Sequence, residues 1–94
     1  MTTILVAGTW DTKDAELGYM RDVIVAQGGR VMTMDVSVLG DPSSPTDISK
    51  HQVAEAAGSS IAAAIAAGDE NTAVQIMAAG SAQLAARRAA EGSI

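Results

Sequence analysis

The sequence predicts an α/β fold: a partial Rossmann-like parallel sheet made of one βαβ unit, followed by about three helices, with the pattern breaking off before a third strand. Three observations predict it. Ile4-Leu5-Val6-Ala7 is a short apolar run closed by Gly8, the pattern of a strand buried on both faces. A helical period follows, and then a second strand-like run, Val31-Met32-Thr33-Met34-Asp35-Val36, within the length that a βαβ unit occupies. Beyond residue 48 every periodic stretch is helical. The chain therefore divides into a βαβ unit (1–36), a connecting loop (37–48) and a helical segment (49–92). Together, 1–94 reads as the N-terminal portion of a nucleotide-binding α/β domain.

Each element has its own signals. In the first helix Leu17, Met20, Val23 and Ile24 fall on one face, with Asp14, Glu16, Arg21 and Asp22 elsewhere. Asp11 or Thr12 is the expected N-cap, Asp14 and Glu16 complement the helix dipole, and Gly28-Gly29 ends the helix. The crossover to the second strand is expected to be parallel and right-handed. Gly40, Pro42 and Pro45 mark the loop. Ser49 to Gln52 is a capping box, with Ile48 and Val53 as its hydrophobic staple, and this helix is expected to stop near Gly58. A short helix, Ser60 to Ala67, ends at Gly68. Asp69 caps a longer one that runs to about Glu91, with Gly92 as terminator. Ala73, Met77, Gly80 and Leu84 form one stripe of it. Glycine costs about 1 kcal/mol relative to Ala in a helix, so Gly80 predicts a close helix contact. Two parallel strands alone do not make a self-sufficient sheet, and the pattern calls for another strand after Gly92.

Composition narrows the function classes. The chain has 94 residues, room for one small domain, and 48% hydrophobic residues exclude a disordered chain. Alanine dominates, Phe is absent, and there is one Trp and one Tyr. At ~25 cal/mol per Å² of apolar surface such small side chains give a weak core. The expected partners are thus the remainder of a parent domain, a second chain, or further copies in a homo-oligomer. The net charge is −5, and no basic cluster exists beyond Arg87-Arg88, which argues against a nucleic-acid surface. Those two arginines read as dipole compensation at a helix end. With no cysteine there is neither a disulfide framework nor a thiolate metal site. No run approaches the ~18–20 apolar residues of a membrane span, and the N-terminus lacks a basic leader region. A cytoplasmic location is expected.

In open parallel sheets ligands bind at the carboxyl ends of the strands, which singles out two loops, Gly8–Lys13 and Asp35–Gly40. Backbone N–H groups and the dipole at the start of the first helix favour an anion such as phosphate. Gly8 lets the backbone approach the ligand, Thr9 and Thr12 offer hydroxyls, and Lys13 offers a point charge. Asp11 either caps the helix or holds a metal ion through water. Trp10 stacks on a base, covers the open sheet end, or meets a partner. Asp35 accepts a ribose hydroxyl, or is a strand-end carboxylate in solvent or bonded to the following loop. Neither G-x-x-x-x-G-K-[ST] nor G-x-G-x-x-G is present. The second absence leaves an NAD-type domain built on Asp35 as the weakest reading. His51 is expected on the surface, and Met32 and Met34 in the core. No nucleophile–base pair or carboxylate dyad stands out, so the sequence gives no catalytic residue. The alternative to nucleotide binding is an interaction segment that completes another chain's sheet or forms a homo-oligomer without binding ligand alone.

Ile4 to Lys13, Glu16-Leu17, Arg21, Asp35-Val36 with Leu39-Gly40, and Asp47-Ile48-Ser49 leading to Val53 and Ala56-Ala57-Gly58 form a series. It resembles the start of the ATP-binding domain family named after the tomato mosaic virus resistance protein. G-T-x-D-T-K and D-V-x-x-L-G are its most specific parts. The resemblance implies ATP binding by a longer chain with two α/β domains. It places Gly8, Thr9, Asp11, Thr12 and Lys13 at the nucleotide, with Asp35 close by. Ser37 stands where such proteins often have glycine, in the second loop. The resemblance also implies a third strand and a glycine-rich loop beyond this segment.

Overall fold

Residues 2–94 are described by a computed structural model. The apolar run at the start forms β1 (Thr3–Gly8), which pairs in parallel with β2 (Arg30–Asp35), Thr3 opposite Arg30 and Gly8 opposite Asp35. Between them lies α1 (Asp14–Ala26), which ends where Gly28 adopts φ +89°, a conformation open to glycine at little cost. Three helices follow: α2 (Lys50–Ala56), α3 (Ile61–Ala66) and α4 (Glu70–Ala90). This is the α/β arrangement expected of a partial Rossmann-like unit, with a two-stranded sheet among the described residues.

The two faces of the sheet carry different layers, as alternating strand side chains require. On one face Leu17 of α1 lies against Gly8, where an added Cβ would come within 2.7 Å of it. On the other face Met34 joins Ile48, Val53, Ala54, Ile61, Met77 and Leu84 in the core, with Leu5 and Met32 packed against it. Ile48 and Val53, the expected staple, are both fully buried. The capping box is present: Ser49 Oγ accepts from Gln52 N at 3.2 Å, and Ser49 N donates to Gln52 Oε1 at 2.8 Å. Met77, Gly80 and Leu84 are buried along α4. At Gly80 an added Cβ would sit 1.9 Å from the Val53 carbonyl oxygen, so the α2–α4 crossing requires glycine there.

Three expectations need correction. The N-cap of α1 is Lys13, without a side-chain cap, rather than Asp11 or Thr12. The Asp11 carboxylate is turned toward the second loop, and that tertiary bond replaces the local cap. Along α1, Leu17 and Ile24 are partly buried, but Met20 and Val23 are 51% and 42% exposed. A two-stranded sheet is too narrow to cover the whole apolar stripe. Finally, 37–48 is more than a connection. Its end runs along the outer edge of β2, where Ile48 forms a parallel bridge to Met34.

Candidate functional site

The two loops at the carboxyl ends of the strands are tied into one rim. Gly8 O accepts from Trp10 N at 3.1 Å and from Val36 N at 2.9 Å, joining the first loop to the second. Thr9 O accepts from Thr12 N and Lys13 N at 3.2 and 2.8 Å, which folds the first loop into a turn leading to α1. Asp35 is 1% exposed. Its Oδ1 accepts from Ser37 Oγ at 2.7 Å, Ser37 N at 3.0 Å and Trp10 N at 3.3 Å. A buried carboxylate survives only with such partners, and here they come from both loops.

Three more side chains brace the rim. Asp11 Oδ2 accepts from Gly40 N at 3.2 Å, and a Cβ at Gly40 would meet that oxygen at 2.9 Å. Asp14 accepts from both the backbone N–H and the hydroxyl of Ser43. Lys50 is buried, and its Nζ donates to Gly40 O at 2.8 Å and Val38 O at 3.3 Å while pairing with Asp41 at 3.0 Å. Sequence reasoning missed Lys50. The one signal for it is a cation in the first turn of a helix, where the dipole disfavours positive charge.

Beside the rim lies a cleft of about 880 Å³, within the range of small-molecule sites. One wall is Thr9, Asp11 and Thr12; the others include Val36 and Val38 of the second loop and Met77 of α4. Asp69 and Glu70, at the start of α4, also face it, and no lysine or arginine lines it. The Thr72 hydroxyl, at 2.7 Å, and then the Asn71 N–H hold the Asp69 carboxyl below the ordinary carboxylate value.

The predicted site residues thus separate. Thr9, Asp11, Thr12 and Ser37 reach the cleft. Gly8 is half-buried beneath Leu17, and Lys13 is exposed at the helix start, outside the cleft lining. Trp10 is 2% exposed, with the Arg21 guanidinium 6.0 Å from its ring centroid, at the outer range of a cation–π contact. Trp10 therefore fills the space under the loop and offers no face for a base to stack on. Asp35 binds the following loop, one of the roles left open for it. Its burial keeps it from a ribose hydroxyl in the cleft. Among the described residues no group of three or more His, Asp or Glu side chains is placed to hold a metal ion, and no helix is long and apolar enough to cross a membrane.

The N-terminal domain model of the "Uncharacterised protein family (UPF0261)" matches residues 2–94. A UPF0261 protein of Brucella suis is 51% identical over 81 residues, covering 86% of this chain and 19% of the relative. One of Brucella melitensis is 49% identical over the same length. One of Clostridium tetani is 35% identical over 91 residues, covering 97% of this chain and 22% of the relative. The chain spans about a fifth of the length of these curated relatives. No solved structure matches it. These matches overturn the resemblance to the family named after the tomato mosaic virus resistance protein, for which no match is found. Its two most specific segments are short strand-end loops, and several of their residues serve to tie one loop to the other. Asp11 holds Gly40, and Asp35 holds Trp10. Loop chemistry of that kind is too local to distinguish one α/β family from another. The chain belongs to the UPF0261 family, as its N-terminal domain.

Proposed function

We propose that this chain is the N-terminal part of a nucleotide-binding α/β protein, with the phosphates held at the Gly8–Lys13 loop. The observation that carries this reading is the position of that loop. It lies at the carboxyl end of the parallel pair, opens a helix whose first turn has no side-chain cap, and borders the 880 Å³ cleft. Uncapped N–H groups and the helix dipole favour an anion there. Thr9 and Thr12 donate hydroxyls to phosphate oxygens, Lys13 adds a point charge, and Val36, Val38 and Met77 supply an apolar wall for a base. Asp11, Asp69 and Glu70 make the cleft acidic, so the expected ligand is ATP as its magnesium complex, which carries less negative charge than the free nucleotide. Trp10 and Asp35 support the site from within and are not ligand contacts in this reading. Binding, not a defined reaction, is proposed. A cytoplasmic location fits both the nucleotide and the absence of cysteine.

The test is calorimetric titration of Mg-ATP into a full-length protein carrying this segment. A charge-assisted hydrogen bond contributes ~1.5–3 kcal/mol, so Lys13→Ala should weaken binding by about tenfold or more. Thr12→Ala should weaken it less, and neither should move the unfolding midpoint by more than about 2 °C. Unchanged affinity in both variants would reject the assignment.

A further inference from the structure

We infer that Leu39 is the residue that meets the base of the nucleotide, and that Lys50 is the positioning residue that holds it at the cleft. The inference rests on the nucleotide reading above and names the part of the site that senses the base. An exposed leucine is ordinary on a protein surface. Leu39 differs because its side chain is 83% exposed on a backbone that is fixed on both sides. An ammonium has three N–H groups. The buried Lys50 directs all of them at residues 38–41: Gly40 O at 2.8 Å, Asp41 Oδ1 at 3.0 Å and Val38 O at 3.3 Å. The turn closes around one charged group, and Leu39 lies between the two carbonyls that group holds. Gly40 N donates to Asp11 Oδ2 at 3.2 Å, which ties the same turn to the first loop. On the other side Asp35 holds Ser37 through its N–H and its hydroxyl. The freedom that a slack loop would lose on binding is therefore already gone, and the leucine is displayed in one place.

That place is the mouth of the cleft. Leu39 lines the cavity together with Ile65 of α3 and Val74 of α4, which are 49% and 57% exposed. Large apolar side chains from three elements thus border one cavity and stand in water. Small-molecule sites use such surface to bury a ring, with a few polar groups to orient it. The polar and apolar parts of the lining come from different loops. Thr9, Asp11 and Thr12 follow β1, whereas Val36, Val38 and Leu39 follow β2. In doubly wound sheets the phosphates lie at the first loop and the ribose toward the end of the second strand. The base then falls beside the second loop. No lysine or arginine lines the cleft, and the charge of Lys50 is turned into the loop's own carbonyls, so this side offers a phosphate nothing. It offers a flat ring the apolar face of Leu39, with Ile65 and Val74 in the same cavity.

The test is calorimetric titration of a full-length protein carrying this segment with two probes, Mg-ATP and magnesium tripolyphosphate, which has the phosphates without the base. Leu39→Ala should weaken Mg-ATP about five- to tenfold, the size of one leucine contact, and leave tripolyphosphate within about twofold. The position is exposed, so the variant keeps its fold. Lys50→Met should weaken Mg-ATP by a similar factor, but by less than about twofold in the Leu39→Ala background, because the two residues act through one contact. Asp41→Ala removes one partner of Lys50 at an exposed position. It should act in the same direction by a smaller factor in the same two backgrounds, which keeps this arm readable where Lys50→Met does not fold. Unchanged Mg-ATP affinity in Leu39→Ala would overturn the inference and leave the phosphate site standing. An equal loss for both probes would overturn it too, because Leu39 would then act on the first loop. Equal losses from the Lys50 and Asp41 variants in both backgrounds would remove Lys50 as the positioning residue. A wild type that takes neither probe rejects the nucleotide reading itself, and this inference with it.

Discussion

At the residue scale, the rim of the candidate site depends on carboxylates that act within the protein. Asp35 accepts three hydrogen bonds on one buried oxygen and links the two loops that border the cleft. Removing it leaves the Trp10 and Ser37 donors without their acceptor, at a cost of about 1–3 kcal/mol for each group that stays unsatisfied. Asp35→Ala should therefore lower stability by about 3 kcal/mol in urea unfolding and shift the emission of Trp10 to the red as its loop opens. Gly80→Ala should also destabilise. The helix-propensity gain of about 1 kcal/mol is outweighed by a Cβ placed 1.9 Å from the Val53 oxygen, which forces α2 and α4 apart. An unchanged unfolding midpoint would show that this crossing is looser than described. Gly80 was legible in the sequence because its cost in a helix asks for a compensating contact on the apolar stripe. The bond from Asp35 to the following loop was left open as one of its roles, but the Gly40 partner of Asp11, the Trp10 partner of Asp35 and the carbonyl partners of Lys50 were not legible. They lie 29, 25 and 10 to 12 residues away, and no local period brings those positions together.

At the element scale, the starts of the three later helices were the most legible features, because caps are chemistry within four residues. The start of α1 was not, because the Asp11 carboxylate bonds across to Gly40. Ser49 and Gln52 form the expected box, Ser60 caps α3, and Asp69 caps α4. Ser49→Ala should cost about 1 kcal/mol, measured by thermal or urea unfolding. Asp69 adds a pH dependence whose sign follows from its lowered pKa. The unfolded chain protonates this carboxyl before the folded one does. The stabilisation is therefore present above the ordinary carboxylate range and is lost as pH falls through the lower, folded value. Asp69→Asn should flatten that part of the acid unfolding curve, and a curve that keeps its slope would remove Asp69 from the cause. The segment 37–48 was the least legible element. Its glycine and prolines announce a loop, yet Ile48 pairs with β2 because its backbone bonds complete an edge that the sequence pattern does not reveal. Likewise α1 announced one apolar face, and the width of the sheet decides how much of that face is covered.

At the scale of the whole molecule, the extents of 42 × 30 × 18 Å describe a thin body, and the radius of gyration of 13.4 Å exceeds the ~12 Å typical of this length. The shape follows from a sheet two strands wide carrying a helix of 21 residues. It fits a segment that matches about a fifth of its relatives' length. The order of the elements was readable from apolar runs and glycine stops. The cleft was not, since it forms between the strand-end loops and α4, whose relation is set only by packing. The central claim is that this cleft and the Gly8–Lys13 loop take a nucleotide, and an amide ¹H–¹⁵N NMR titration of the chain with Mg-ATP tests it most directly. Shifts clustered at Thr9–Lys13 and Val36–Leu39, with the far end of α4 unmoved, are expected. A dispersed spectrum in which those residues stay still at millimolar Mg-ATP would contradict the claim.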